Sequence, residues 1–184
     1  MNFPLLKTFN VSSSLTSFLE KKLTEYVNQE GWHIAPEGAN EFNQNNGYQT
    51  FNLLEWDDKN FKNFTQNELL DLISFNLEID KSKISYNWIH FLSYENGGMM
   101  KHHKHWHAED FVMFIYLKTC SSGRTIFYLN DYNEEFSERT HLGILPQKNL
   151  GAIFSSLILH QGEFCTENKK IFVVGIRVDL RYKK

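Results

Sequence analysis

Two cysteines in 184 residues exclude a disulfide-braced scaffold as the main source of stability. Cys120 and Cys165 fit a reducing compartment instead. No apolar run approaches the roughly twenty residues that a helix needs to cross a bilayer, so no membrane association is expected. The net charge of −3 gives no general basic footprint, and nucleic acid is not the expected partner. The opening MNFPLLKTFN lacks a basic region followed by a long apolar stretch, which makes a cytoplasmic location the default expectation. The apolar fraction, 41%, is slightly low, but aromatics reach 15% with sixteen Phe, a balance that suits a β-rich globular core and not a disordered chain. The length suggests one domain over residues 1–184.

Within that domain the pattern divides near Lys83. Residues 1–83 read as a helical support region. Phe3 to Val11 suggest a short strand, and Ser12 to Ser14 offer a helix cap. Leu15, Phe18, Leu19, Leu23, Tyr26 and Val27 recur at helical spacing and predict a helix over 14–28. Residues 30–47 are polar and rich in turn formers, so a loop is expected, with a strand over 48–56. Thr65-Gln66-Asn67-Glu68 has the form of a capping box, and the leucines and isoleucine after it predict a helix over 66–77. From residue 84 to 184 strands dominate: 84–94, 111–117, 125–129, 151–158 and 171–179, separated by Asn96-Gly97-Gly98, Ser121-Ser122-Gly123 and Glu167-Asn168. Helices followed by a run of strands suggest a β-sandwich or small barrel backed by helices.

The chemistry gathers in HHKHWHAEDFVMFIYL, His102 to Leu117. It holds four of the eight histidines, then Glu109 and Asp110, then an apolar strand. A solvated loop would also carry such a run, but this one is internal and feeds directly into a core strand. Imidazole with carboxylate suits a mid-series divalent metal such as iron better than magnesium or calcium. Leu159-His160-Gln161-Gly162 ends another apolar strand and is followed by Lys170. In a closed antiparallel barrel two such distant segments can bring three ligands to one metal.

From about Trp88 to Tyr182 the chain resembles the iron(II)/2-oxoglutarate dioxygenases, especially the prolyl-hydroxylase-like branch. The residues that carry the resemblance are His105-Trp106-His107-Ala108-Glu109, Ile115-Tyr116-Leu117, Gly123-Arg124-Thr125-Ile126-Phe127, Pro146…Gly151…Phe154, His160-Gln161-Gly162 and Lys170, in that order. The resemblance implies a mainly β fold, the double-stranded β-helix (jelly-roll, cupin-like), with the N-terminal helices packed on one sheet. It implies Fe(II) and 2-oxoglutarate as cofactors, O2 as co-substrate, and hydroxylation of a C–H bond of a peptidyl or small-molecule substrate with release of succinate and CO2. Carried onto this chain, His160 becomes the distal metal ligand. Lys170 holds the far carboxylate of 2-oxoglutarate in place of the commoner arginine, with Tyr116 and then Tyr94 as further cofactor contacts.

Two proximal registers remain open. His107-Ala108-Glu109 gives two histidines and a carboxylate. His105-Trp106-His107, favoured by counting back from Tyr116-Leu117, gives a three-histidine set of His105, His107 and His160, or a site completed by Asp110. His102 and His103 read as loop or supporting residues. On β alternation Trp88, His90 and Leu92 share one face. Two other readings stand beside this one: a three-histidine cupin-like dioxygenase that uses no 2-oxoglutarate, and a barrel that binds metal without catalysis.

Overall fold

The computed structural model describes residues 6–33, 47–95, 97–105, 109–129 and 141–179. Two antiparallel sheets face each other. The larger has six strands in the order β1-β8-β5-β10-β3-β2 and the smaller four, in the order β4-β9-β6-β7. In sequence these are β1 (Leu6–Asn10), β2 (Gly47–Gln49), β3 (Ile84–Tyr94), β4 (Met100–His103), β5 (Phe111–Tyr116), β6 (Thr125–Tyr128), β7 (His141–Ile144), β8 (Leu150–Ser155), β9 (Leu159–Gly162) and β10 (Lys169–Val178). The five expected strands of the C-terminal half are all present, and β4, β7 and β9 are additional, with β9 separated by a turn from the strand it was expected to end. Residues 48–56 form only the short β2 and then a 3-10 turn, Leu53–Glu55.

Alternation along the central strands separates two apolar layers. Phe111, Met113 and Ile115 of β5 and Phe172, Val174 and Ile176 of β10 face the helices. Val112, Phe114 and Tyr116, with Ile171, face the small sheet. Helix α1 (Ser13–Glu30) starts where the Ser12 hydroxyl accepts from the Leu15 amide at 3.2 Å, and it stops at Gly31, whose φ of 77° favours glycine. Among the described residues no helix is long and apolar enough to cross a membrane.

The capping box does not form. Thr65 lies in the last turn of α2 (Lys59–Gln66), and its hydroxyl donates to the Lys62 carbonyl at 2.8 Å. α3 (Glu68–Leu77) follows directly, and Asn67 makes no side-chain cap bond. The working cap is Asp58, which accepts from the Phe61 amide at 2.7 Å and also binds the buried Lys22 ammonium at 2.7 Å. α2 thus turns Phe61 and Phe64 onto Phe172 of the large sheet.

Candidate metal and dicarboxylate site

A cavity of about 360 Å3 lies between the sheets. β4 and β9 pair so that His103 stands opposite His160. His160 pairs on its other side with Phe127 of β6 and packs against the ring of Phe154 at 4.8 Å. His105, two residues past His103, is tied down by its amide, which donates to the Ser156 carbonyl at 3.0 Å. The ligating nitrogens of His103, His105 and His160 all lie within 4.8 Å of one another, close enough to converge on one ion.

The backbone sets the tautomers. Nδ1 of His160 lies 2.9 Å from the Ile158 carbonyl, and Nδ1 of His103 lies 3.0 Å from the Lys101 carbonyl. A carbonyl only accepts, so each Nδ1 carries the proton and each Nε2 keeps its lone pair. Burial holds the His160 imidazole well below its ordinary pKa, with His103 pushing the same way. Burial and His103 bring His105 to about 4 against the opposing pull of Glu109, and burial lowers His103 also. Three neutral imidazoles, two of them with the tautomer set by a carbonyl, suit a divalent first-row metal.

The carboxylates considered for this site are engaged elsewhere. Glu109 accepts from Asn87 Nδ2 at 2.8 Å and from the Trp88 indole N–H. Asp110 accepts from the Val178 amide at 2.7 Å and so fastens the end of β10. Among the described residues no aspartate or glutamate lines the cavity. His107 lies outside the described residues, and the third imidazole of the described cluster is His103, which the sequence reading took as a loop or supporting residue and not as a ligand. The sequence offers His-x-His at 103/105 as well as at 105/107, and cross-strand pairing with His160 was the missing signal.

The cation in the cavity is Lys169. The lysine expected there, Lys170, sits one residue on and therefore points to the opposite face of β10. Lys169, Ile171 and Val173 line the cavity, while Phe172 and Val174 face the helices. Lys169 is only 1% exposed. Its Nζ donates to the Gly123 carbonyl at 2.8 Å and lies 4.8 Å over the Tyr94 ring. Among the described residues no carboxylate pairs with it. Glu163 attracts it from a distance but is itself bound to Arg124 at 2.7 Å. Burial therefore lowers the ammonium pKa to about 8. One acceptor, the Gly123 carbonyl, engages an ammonium that carries three donors.

The tyrosines exchange the order of their expected roles. Tyr94 lines the cavity under Lys169. The Tyr116 hydroxyl stands 2.6 Å from Thr125 Oγ1 and donates to the Ile144 carbonyl at 3.3 Å, so it reaches the cavity only through Thr125. On the opposite wall Trp88, His90 and Leu92 share the cavity face, as alternation predicts. Nδ1 of His90 donates to the carbonyls of Thr50 and Phe51 at 3.0 and 3.2 Å, which binds β3 to the chain after β2.

Trp88 lies flat across Gly175 of β10. A Cβ there would overlap the indole and stand 2.8 Å from Cγ of Glu109. Gly175→Ala is expected to destabilise the protein by about 1–3 kcal/mol through this overpacking, read as a lowered urea midpoint.

Neither a family profile nor a curated protein matches the sequence. Solved structures do match its fold. A prolyl-4-hydroxylase from Pseudomonas putida superposes with a TM-score of 0.66 at 12% identity over 95% of this chain and 92% of its own. The viral collagen prolyl hydroxylase of Paramecium Bursaria Chlorella virus-1, solved as a 2-oxoglutarate complex, gives 0.60 at 16% identity over 95% and 97%. HygX from Streptomyces hygroscopicus, solved with nickel, 2-oxoglutarate and hygromycin B, gives 0.67 at 6% identity over 97% and 85%. The chain thus has the double-stranded β-helix fold of solved 2-oxoglutarate oxygenases, with helices on the large sheet.

Proposed function

We propose that the protein is an iron(II)- and 2-oxoglutarate-dependent oxygenase that hydroxylates a C–H bond of a peptidyl or small-molecule substrate. The observation that carries this reading is the pairing, in one cavity, of three converging imidazoles with a buried lysine that has no carboxylate partner among the described residues. His103, His105 and His160 would hold the metal. Lys169 would take the far carboxylate of the keto acid, with Thr125 beside it. Iron(II) with 2-oxoglutarate, when bound, supplies an O2-dependent oxidation that yields succinate and CO2 and places one oxygen atom in a C–H bond of the substrate.

The chain's own residues do the rest. The carbonyls of Ile158 and Lys101 keep two Nε2 lone pairs aimed into the cluster. Val112, Phe114, Phe154, Ile171 and Val173 keep the cavity wall apolar and so limit water. Gln49, Trp88 and His90 form the wall left for a substrate once Lys169 is occupied. The test is succinate formation coupled to 2-oxoglutarate loss. Oxygen uptake without keto acid would favour the cupin-like alternative, and metal binding with neither activity would favour a non-catalytic barrel.

The keto-acid affinity should depend on pH through Lys169. With a ligand-free pKa of about 8, the ammonium is present below that pH and is lost above it. Affinity should be flat up to about pH 7.5 and fall by up to about tenfold per unit above pH 8. Stability of the ligand-free protein should run the other way. The depressed folded value makes the charged lysine a liability fully present below about 8, and stability is regained as pH rises towards the ordinary lysine value of 10.5.

A further inference from the structure

We propose that His90 selects the substrate: its Nε2 accepts a hydrogen bond from an N–H or O–H on an uncharged, flat ring that rests on the Trp88 indole. This rests on the oxygenase reading above. The two nitrogens of His90 are used unequally. Nδ1 carries the proton, because it donates to the Thr50 and Phe51 carbonyls. Nε2 is therefore an acceptor, and it has no partner among the described residues. Burial lowers the imidazole pKa against the pull of the two carbonyls, so the ring stays neutral. A strut between β3 and the chain after β2 needs only Nδ1. The other nitrogen belongs to a side chain that lines the cavity but stands outside the three-histidine cluster. An acceptor in a water-poor cavity is best satisfied by a donor on the ligand.

Trp88 sets the shape of that ligand. Glu109 holds its indole N–H, and Gly175 lets the ring lie against β10. The ring centroid is 5.4 Å from that of His90 and 5.6 Å from that of His105. A group stacked on the indole is thus within reach of both the His90 acceptor and a metal at His105. The wall contributed here by β2 and β3, with Gln49, Trp88, His90 and Leu92, carries no charge. A charged substrate group would lose its water there and find no counter-charge on that wall.

The test uses the full chain, labelled with heavy nitrogen in its histidine rings and loaded with diamagnetic Zn(II) and 2-oxoglutarate. The probes are indole and N-methylindole, which differ by one donor. Indole should bind at least about threefold more tightly, the effect of one net hydrogen bond. It should also move the His90 Nε2 resonance, which N-methylindole should leave in place. His90→Asn puts an amide N–H near the Nδ1 position and removes the acceptor, so it should keep the urea midpoint and lose the preference. His90→Gln puts an amide oxygen near the Nε2 position and removes the strut, so it should keep the preference and lose stability. N-acetyltryptophanamide carries the same ring on a peptide stub. Binding tighter than indole makes the substrate peptidyl and weaker binding makes it a free molecule, and either supports the proposal. A smaller ratio of indole to N-methylindole in the parent would overturn it, as would binding of neither probe or an unmoved Nε2 resonance. So would a preference that survives in His90→Asn or is lost in a folded His90→Gln. If His90→Gln does not fold, the parent and His90→Asn decide alone. Failure of 2-oxoglutarate to bind would remove the oxygenase reading, and the same probes on the Zn(II)-loaded chain would still decide the role of His90.

Discussion

His160→Ala is expected to weaken divalent-metal binding by at least about a hundredfold, because groups that merely orient a ligand already account for about ten- to a hundredfold. His160 is the most buried of the three imidazoles, at 7% exposure, and it is fixed on both sides by β4 and β6. The fold should survive. The side chain packs beside Phe127 and Phe154 but belongs to neither apolar layer, so its loss should cost about 0.5–3 kcal/mol. Mn(II) titration and a urea melt on one preparation separate the two effects. His102→Ala, on the exposed face of β4, is the control and should leave Mn(II) affinity unchanged.

Lys169→Met should raise the dissociation constant for 2-oxoglutarate by about 30- to 5000-fold, the range for removing one partner of a buried charge pair. Lys170→Ala should leave it within about twofold, since that side chain leaves β10 on the far face. The two variants differ by one position in sequence and by the thickness of a sheet in space. The same Lys169→Met exchange should stabilise the ligand-free protein below pH 8, because an apolar chain of similar length replaces a buried ammonium that has no carboxylate to pair with among the described residues. A calorimetric melt and a 2-oxoglutarate titration should thus move in opposite directions.

The contrast between these lysines marks the limit of the sequence. Five strands of the C-terminal half were legible because their apolar runs are rich in branched and aromatic residues, whereas β4, β7 and β9 are four residues each and carry no such run. The cavity face of β3 was legible too, since alternation alone groups Trp88, His90 and Leu92. Which lysine faces inward depends on how the turn after Cys165 enters β10, and one residue reverses the answer. The proximal histidines posed the same difficulty. Between Met100 and His103 the β4–β9 pairing shifts register, and no local pattern announces such an irregularity. Counting from Tyr116 therefore favoured 105/107, while the described cluster uses 103 and 105 with His160. The capping-box motif misled for a related reason. Thr65 was already committed to α2, whose sequence KNFKNFTQ hides its buried Phe61 and Phe64 among polar residues.

The most direct test of the account is anomalous diffraction from a crystal soaked with Mn(II) and 2-oxoglutarate without oxygen. One manganese peak should lie at Nε2 of His103, His105 and His160, with the distal carboxylate of the keto acid on Lys169 Nζ. A peak bound by Glu109 or Asp110, or a keto acid whose far end avoids Lys169, would contradict it.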